Sequence, residues 1–314
     1  MENLIFSLNI VMPIFFLTMI GFGLRKGGIL TEEFRAKAMS LVFYVALPAS
    51  LFTSVASADI SSGFSGKFVI YALLSTLAVF FLGWLLTLIF IKDKSQISAV
   101  AHGTYRGNFA YIGLAVCKNM LGTDVLVSAV MVIAFVVPLY NVIGTFILSY
   151  YDPGGRRVSV KQLLLGIIKN PMIISIVLAL PFSIFGIQLP TMFDKTLGYL
   201  GQMATPLALL LIGANLRVDT FKKKPKGILL STAVKIVIAP LLGTAAAYLL
   251  GFTGEDLVTI FVMHGVPAAA NSYIMTKKLG GDADIGAGIV MVSTLLSTIT
   301  LTIGIFIFKS MGWI

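Results

Sequence analysis

AHGTYRGNFAYIGL, residues 101–114, sits inside apolar sequence yet holds a histidine, a tyrosine, an arginine and an asparagine within seven positions. The chain has two histidines, and the second stands in MHGVPAAANSYIM, residues 263–275. Each histidine is followed by glycine, then by an asparagine six or seven residues later, then by a tyrosine. Whatever holds these polar groups in apolar sequence decides the fold.

Around the two stretches, 58% of residues are hydrophobic and 11% charged, and the apolar residues come in runs of about 20, the length of a membrane-spanning helix. This is the pattern of an all-α integral membrane protein. Ten spans are expected, at 4–24, 38–57, 68–91, 96–120, 124–150, 165–188, 196–216, 226–251, 255–277 and 285–309. They leave no room for a soluble domain. The first run follows Glu2 without a basic leader and is long enough to be a retained helix rather than a cleaved signal. A membrane β-barrel would instead show short alternating segments of about ten residues.

A net charge of +10 raises the question of nucleic acid, which the distribution of the basic residues answers. Alternating the loops puts sixteen of them on one side, among them Arg25, Arg35, Lys92, Arg156, Arg157 and the run KKKPK at 222–226. Only Lys67, Lys118, Lys195 and Lys309 fall on the other side. By the positive-inside rule the first side is cytoplasmic and both termini are external. The basic run is then a topology signal with some attraction to anionic lipid, and no nucleic-acid partner is expected. The single Cys117 excludes an intramolecular disulfide and a multi-cysteine metal site.

Repeats organise the chain further. Pro13 is echoed by Pro171, Pro48 by Pro206, and His102-Gly103 by His264-Gly265, at offsets of 158, 158 and 162. Residues 1–151 thus form one five-helix repeat and 163–314 a second, joined by the hydrophilic, cytoplasmic linker 152–162. Five is odd, so the second repeat is inverted relative to the first, as in many secondary transporters whose discontinuous helices meet near the bilayer midplane.

Depth accounts for the opening stretch. Entering near residue 96, the fourth span carries Arg106 and Asn108 about 15–18 Å inward at 1.5 Å per residue, the midplane of a core roughly 30 Å thick. The ninth span enters from the opposite face and brings Pro267 and Asn271 to the same level. Gly103, Gly107 and Gly265 lower the cost of unwinding, and Pro267 removes a backbone donor. Irregular backbone at that depth must line a cavity or be buried in protein.

RGNFAYIGLAV at 106–116, Asn170-Pro171, TPLALLLIGANL at 205–216, Lys235 and Pro240 in KIVIAP, and the proline-broken GVPAAANSYIM together resemble the auxin efflux carrier family, which includes malate-permease-like and PIN-type members. The resemblance covers essentially the whole chain. It implies the fold of the bile acid and auxin carriers: ten helices in two inverted repeats, with broken, crossing helices four and nine. It further implies a homodimer, a scaffold of helices 1, 2, 6 and 7, a transport domain of helices 3–5 and 8–10, and elevator-like movement of organic anions. One departure stands out: Gly107 precedes Asn108 where PIN-type members have proline.

Read this way, Arg106 attracts an anion, because the spans offer no acidic residue at that depth to neutralise a cation costing about 2.5–3.5 kcal/mol to insert. Asn108 and Asn271 can both donate and accept, and Tyr105, Phe109, Tyr140, Asn141, Pro267 and Tyr273 complete a candidate substrate site. Each has a plainer alternative: arginine holding unwound carbonyls, asparagines capping broken helix ends. Lys235, about 14 Å deep at 1.5 Å per residue, and His102 and His264 are candidates for coupling, or for hydrogen bonds that brace the crossing. No HExxH helix or Walker loop is present, so neither a cofactor nor an enzymatic reaction is expected. The leading expectation is a secondary transporter of a small organic anion in the cytoplasmic membrane. An anion channel, a receptor and a membrane enzyme are the competitors.

Overall fold

The computed structural model describes residues 1–57, 65–122, 127–152, 154, 159–216 and 224–314. Residues 153 and 155–158 of the expected linker, with Arg156 and Arg157, and Arg217, Lys222 and Lys223 of the basic loop lie outside the described residues. Within them the chain is helical throughout: α1 (Glu2–Lys26), α2 (Glu32–Ala56), α3 (Gly66–Phe90), α4 (Lys94–Tyr105), α5 (Phe109–Leu121), α6 (Val127–Tyr150), α7 (Val160–Ile168), α8 (Pro171–Ile184), α9 (Thr191–Ala214), α10 (Pro225–Leu249), α11 (Gly254–Gly265), α12 (Ala270–Lys278) and α13 (Ala283–Ser310). Seven of these, α1, α2, α3, α6, α9, α10 and α13, are long and apolar enough to cross a membrane. The protein is therefore a multi-pass membrane protein.

Polar residues start these helices where their side chains can serve the free N–H groups of the first turn. Thr31 accepts from Phe34, Ser65 from Phe68, Asp93 from Ser95 and Asp282 from Ile285. Thr31 with Glu32 and Glu33 behind it starts the second helix earlier than the expected residue 38. Bonds from Gln96 and Ser95 hold the Asp93 carboxyl below its usual pKa, so the cap stays ionised.

The sixth expected span, 165–188, is corrected. It is two helices, α7 and α8, and α7 begins inside the expected linker. Pro171 disfavours helix at the residue before it. Asn170 is extended there and accepts from the Met172 N–H at 2.9 Å, so a new helix starts at the proline. At its other end α7 opens with a reciprocal capping box between Ser159 and Gln162.

Three prolines widen their own helices. Pro48, Pro138 and Pro240 lack the N–H owed to the carbonyl four residues back, and their rings crowd that carbonyl. Just before each, one turn opens to a π turn: Leu47 N–H bonds Val42 O, Val137 N–H bonds Val132 O, and Ala239 N–H bonds Val234 O. A fourth π turn, Phe109–Gly113, begins α5.

Packing divides the helices into neighbourhoods. α1 lies against α9 and α13, and α2 against α8 and α9; α3 packs on α4, while α10 packs on α11, α13 and α4. α1 and α9 meet backbone to backbone: a Cβ on Gly213 would stand 1.7 Å from the Thr18 carbonyl oxygen, and one on Gly21 would stand 2.0 Å from that of Leu210. In lipid, where apolar side chains gain little by leaving their solvent, such close contact through small residues supplies the association. Gly23, two residues on and facing the other side of α1, has nothing within 4 Å. Gly213→Ala should therefore cost about 1–3 kcal/mol through overpacking and lower the thermal unfolding midpoint in detergent, while Gly23→Ala should stay within about 0.5 kcal/mol of the parent.

Candidate functional site

Helix is interrupted twice in mid-run, at Arg106–Asn108 between α4 and α5 and at Val266–Ala269 between α11 and α12. Both interruptions lie inside the stretches that the sequence singles out. The exposed backbone of one break is satisfied by the other. Asn108 N–H donates to Pro267 O at 2.8 Å, and Ala269 N–H donates to Arg106 O at 3.1 Å. Gly107 and Ala268 stand opposite each other between these two bonds, as an isolated antiparallel bridge. In that kind of pair the Cα atoms approach most closely, about 4.5 Å, which favours small side chains. A Cβ on Gly107 would stand 3.0 Å from both the Met263 oxygen and a Val266 methyl. Pro267 loses nothing here, since it takes part through its carbonyl alone.

The pairing orients two helix starts toward one space. α5 begins at Phe109 and α12 at Ala270, and the first N–H groups of a helix have no partner within it and carry a partial positive charge. Between these starts lies a cavity of about 290 Å³, lined by Arg106, Gly107, Asn108, Phe109, Tyr140, Asn141 and Asn271 among others. Arg106 is nearly buried, at 7% exposure. Its guanidinium donates to Asn141 Oδ1 at 2.9 Å and Tyr140 O at 3.3 Å, and approaches Met275 S at 3.5 Å, while its Nε has no hydrogen-bond partner among the described residues. No carboxylate lines the cavity among the described residues. Buried cation, two positive helix ends and amide side chains make a space suited to a small anion.

Other candidates stand behind or beside this space. Tyr105 donates to Tyr140 O at 3.2 Å and backs the cavity wall. Half-buried Tyr273 lies beyond the lining. Gly103 lets α4 approach Ser231 of α10 and Ile289 of α13, and Gly265 closes α11. His102 pairs with Thr276 Oγ1 across the two broken runs at 3.2 Å, and His264 with Ser75 Oγ of α3 at 3.0 Å. Fully buried Lys235 donates to the carbonyls of His264 and Met263, where α11 ends.

One wall of the cavity was not anticipated. Phe43 and Tyr44 of α2, with Gly166, Lys169, Asn170 and Met172 at the α7–α8 junction, face the crossing. Lys169 is exposed and adds a second cation at that wall. The Asn170-Pro171 pair was its one visible signal; nothing in their local sequence separates Phe43 and Tyr44 from lipid-facing aromatics.

Comparison with known proteins finds membrane transporters along the whole chain. The family described as membrane transport protein matches residues 6–154 and 155–305. The chain is 24% identical to an "Uncharacterized transporter" of Methanothermobacter thermautotrophicus over 94% of its own length and 96% of the relative's. It is 23% identical to an "Uncharacterized transporter" of Methanocaldococcus jannaschii over 98% of both chains. To a Rhizobium meliloti protein named "Putative malonate transporter" it is 23% identical over 96% of both.

Cys117, the one native cysteine, is fully buried, whereas Asn271 is exposed on the cavity. The parent protein should take up almost no maleimide in mild detergent, and Asn271→Cys should label at close to one equivalent. Labelling of Asn271→Cys no faster than the parent would mean that water does not reach this space.

Proposed function

Because the chain belongs to the membrane transport protein family, we propose that it is a secondary carrier that moves a small organic anion, with a carboxylate held at the crossing of the two broken helices. The observation that carries this reading is the meeting of Arg106 and the starts of α5 and α12 on one cavity free of carboxylates among the described residues. The substrate's charged end is bound by the Arg106 guanidinium, by N–H groups at the two helix starts and by Asn108 and Asn271. Phe109 and Tyr140 accept its body. The relative named for malonate makes short dicarboxylates the first compounds to test.

The ten-span, inverted-repeat plan organises the mechanism. Spans four and nine are then α4–α5 and α11–α12, and α8 is the short sixth span. Two glycines 160 residues apart support the plan: Gly83 of α3 receives Thr104 next to the first break, and Gly243 of α10 receives His264 next to the second. The cavity lies between the proposed scaffold, α1, α2, α8 and α9, and the proposed transport domain that carries the crossing. Its outer wall belongs to α2 and the α7–α8 junction, its inner wall to α4–α6 and α12. A wall divided in this way supports elevator movement, in which one side slides past the other with the anion. Gly166 and Lys169, which follow the expected linker, are among the lining residues, so under the positive-inside assignment the proposed opening of the cavity is toward the cytoplasm. The scaffold also pairs with a second copy, an assembly that rests on the family resemblance. Crosslinks between copies should fall on α1, α2, α8 and α9 and not on α3, α4 or α11.

In liposomes containing only this protein, labelled malonate or a related dicarboxylate should enter saturably and be accelerated by unlabelled anion inside. Entry without such acceleration indicates a channel, and no entry of any mono- or dicarboxylate overturns the proposal. Arg106→Gln, which keeps donors but not charge, should weaken anion binding by about 10–150-fold, from 1.5–3 kcal/mol for a hydrogen bond to a charged group, with the protein still folded. Lysine at this position should restore only part, lacking the planar fork. Unchanged affinity in a folded Arg106→Gln protein would assign the arginine to holding Tyr140 and Asn141 instead.

A further inference from the structure

Lys235 lies in the π turn Val234–Ile238, in the middle of α10, at 0% exposure. Its ammonium forms no ion pair with a carboxylate among the described residues. It bonds two backbone oxygens, those of His264 and Met263, and both are among the carbonyls that the second break strips of their helical partners. In an uninterrupted helix Met263 O would accept from residue 267, which is a proline without an N–H. His264 O would accept from the Ala268 N–H, which goes instead to Ser293 Oγ at 3.0 Å. The break thus leaves paired carbonyls at the negative end of α11, buried and free to face a cation. The same side chain lies against the first break, since a Cβ on Gly107 would stand 3.3 Å from Lys235 Cε.

Unwound carbonyls and half-helix C-terminal ends are the groups that hold coupling Na⁺ in carriers built on discontinuous helices. We propose that Lys235 is this protein's own counter-cation at the crossing: a tethered ammonium in the place where a sodium-driven carrier would bind its ion, so that anion transport proceeds with no alkali metal bound. This rests on the carrier reading above. A permanently attached cation travels with the crossing in both directions. It contributes its charge to the anion site without adding a stoichiometric ion, and it closes to sodium the oxygens that sodium would need.

The test compares the parent, Lys235→Ala, Lys235→Gln and Lys235→Met in nanodiscs and in liposomes. Each is measured in N-methylglucamine chloride, in sodium chloride and with added ethylammonium, a fragment that restores the missing group. For the parent, the melting temperature, malonate affinity and malonate uptake should be the same with sodium as with N-methylglucamine. In N-methylglucamine, Lys235→Ala should melt several degrees lower and bind malonate at least about tenfold more weakly. Sodium or ethylammonium at tens of millimolar should restore both in a saturable way, because a ligand of the folded state raises its stability. Lys235→Met, which fills the volume without charge, should stay impaired in every salt.

Sodium dependence of the parent would overturn the proposal. So would a Lys235→Ala protein indifferent to all three cations, or a Lys235→Met protein equal to the parent. Should the alanine protein not fold, Lys235→Gln carries the test: it keeps donors to both carbonyls, and full activity in it would show that the positive charge is not needed. The melting temperatures need no transport, so a parent that moves no carboxylate defeats the carrier reading while the cation arm still gives its own answer.

Discussion

Everything at the centre of this protein depends on two backbone hydrogen bonds, Asn108 to Pro267 and Ala269 to Arg106. Non-helical backbone cannot face lipid, because no water is there to satisfy it and each stranded group costs several kcal/mol. A single broken helix would bear that cost alone. Two broken helices, meeting at Gly107 and Ala268, satisfy each other and leave over the helix starts and ends whose partial charges become useful. The starts, at α5 and α12, face the cavity; the end of α11 faces Lys235. Opposite poles of the same interruption are thereby given to opposite tasks.

The π turns serve the same region. Phe43 and Tyr44 come from the one ahead of Pro48, Phe109 and Tyr111 from the one opening α5, and Tyr140 and Asn141 follow the one ahead of Pro138. Lys235 belongs to the fourth. A π turn inserts one residue into the helical count and shifts the register of all that follows, a device often found where a side chain must be re-aimed at a functional site. Proline is the local cause of three of the four, and the aim of the side chains around the crossing is the consequence.

Much of this was legible in the sequence because membrane burial makes polar and helix-breaking residues costly. Histidine, arginine and asparagine amid glycines at mid-depth, answered 162 residues later by histidine, proline and asparagine, marked both interruptions. What stayed hidden depends on partners distant in the chain. Lys235 looked like a candidate for coupling, and its two carbonyls become recognisable only once Ala268 is seen to donate to Ser293. Tyr44 and Lys169 gave no local sign of a shared cavity, since α2 and α8 meet the crossing only through tertiary packing. The division of the sixth span was misread on apolar content, although Asn170-Pro171 carried the capping information that determines it.

The mutual dependence of the breaks also has an order in time. Asn108 leaves the ribosome about 160 residues before Ala269, which at about 5–20 residues per second is roughly 8–30 s. Throughout that interval the amide of Asn108 and the carbonyl of Arg106 are inside or beside the bilayer with their eventual partners not yet made. The first half must therefore wait in the company of water, lipid headgroups or the insertion machinery. A chain truncated before residue 267 keeps both of those backbone groups without the partners that the second break supplies.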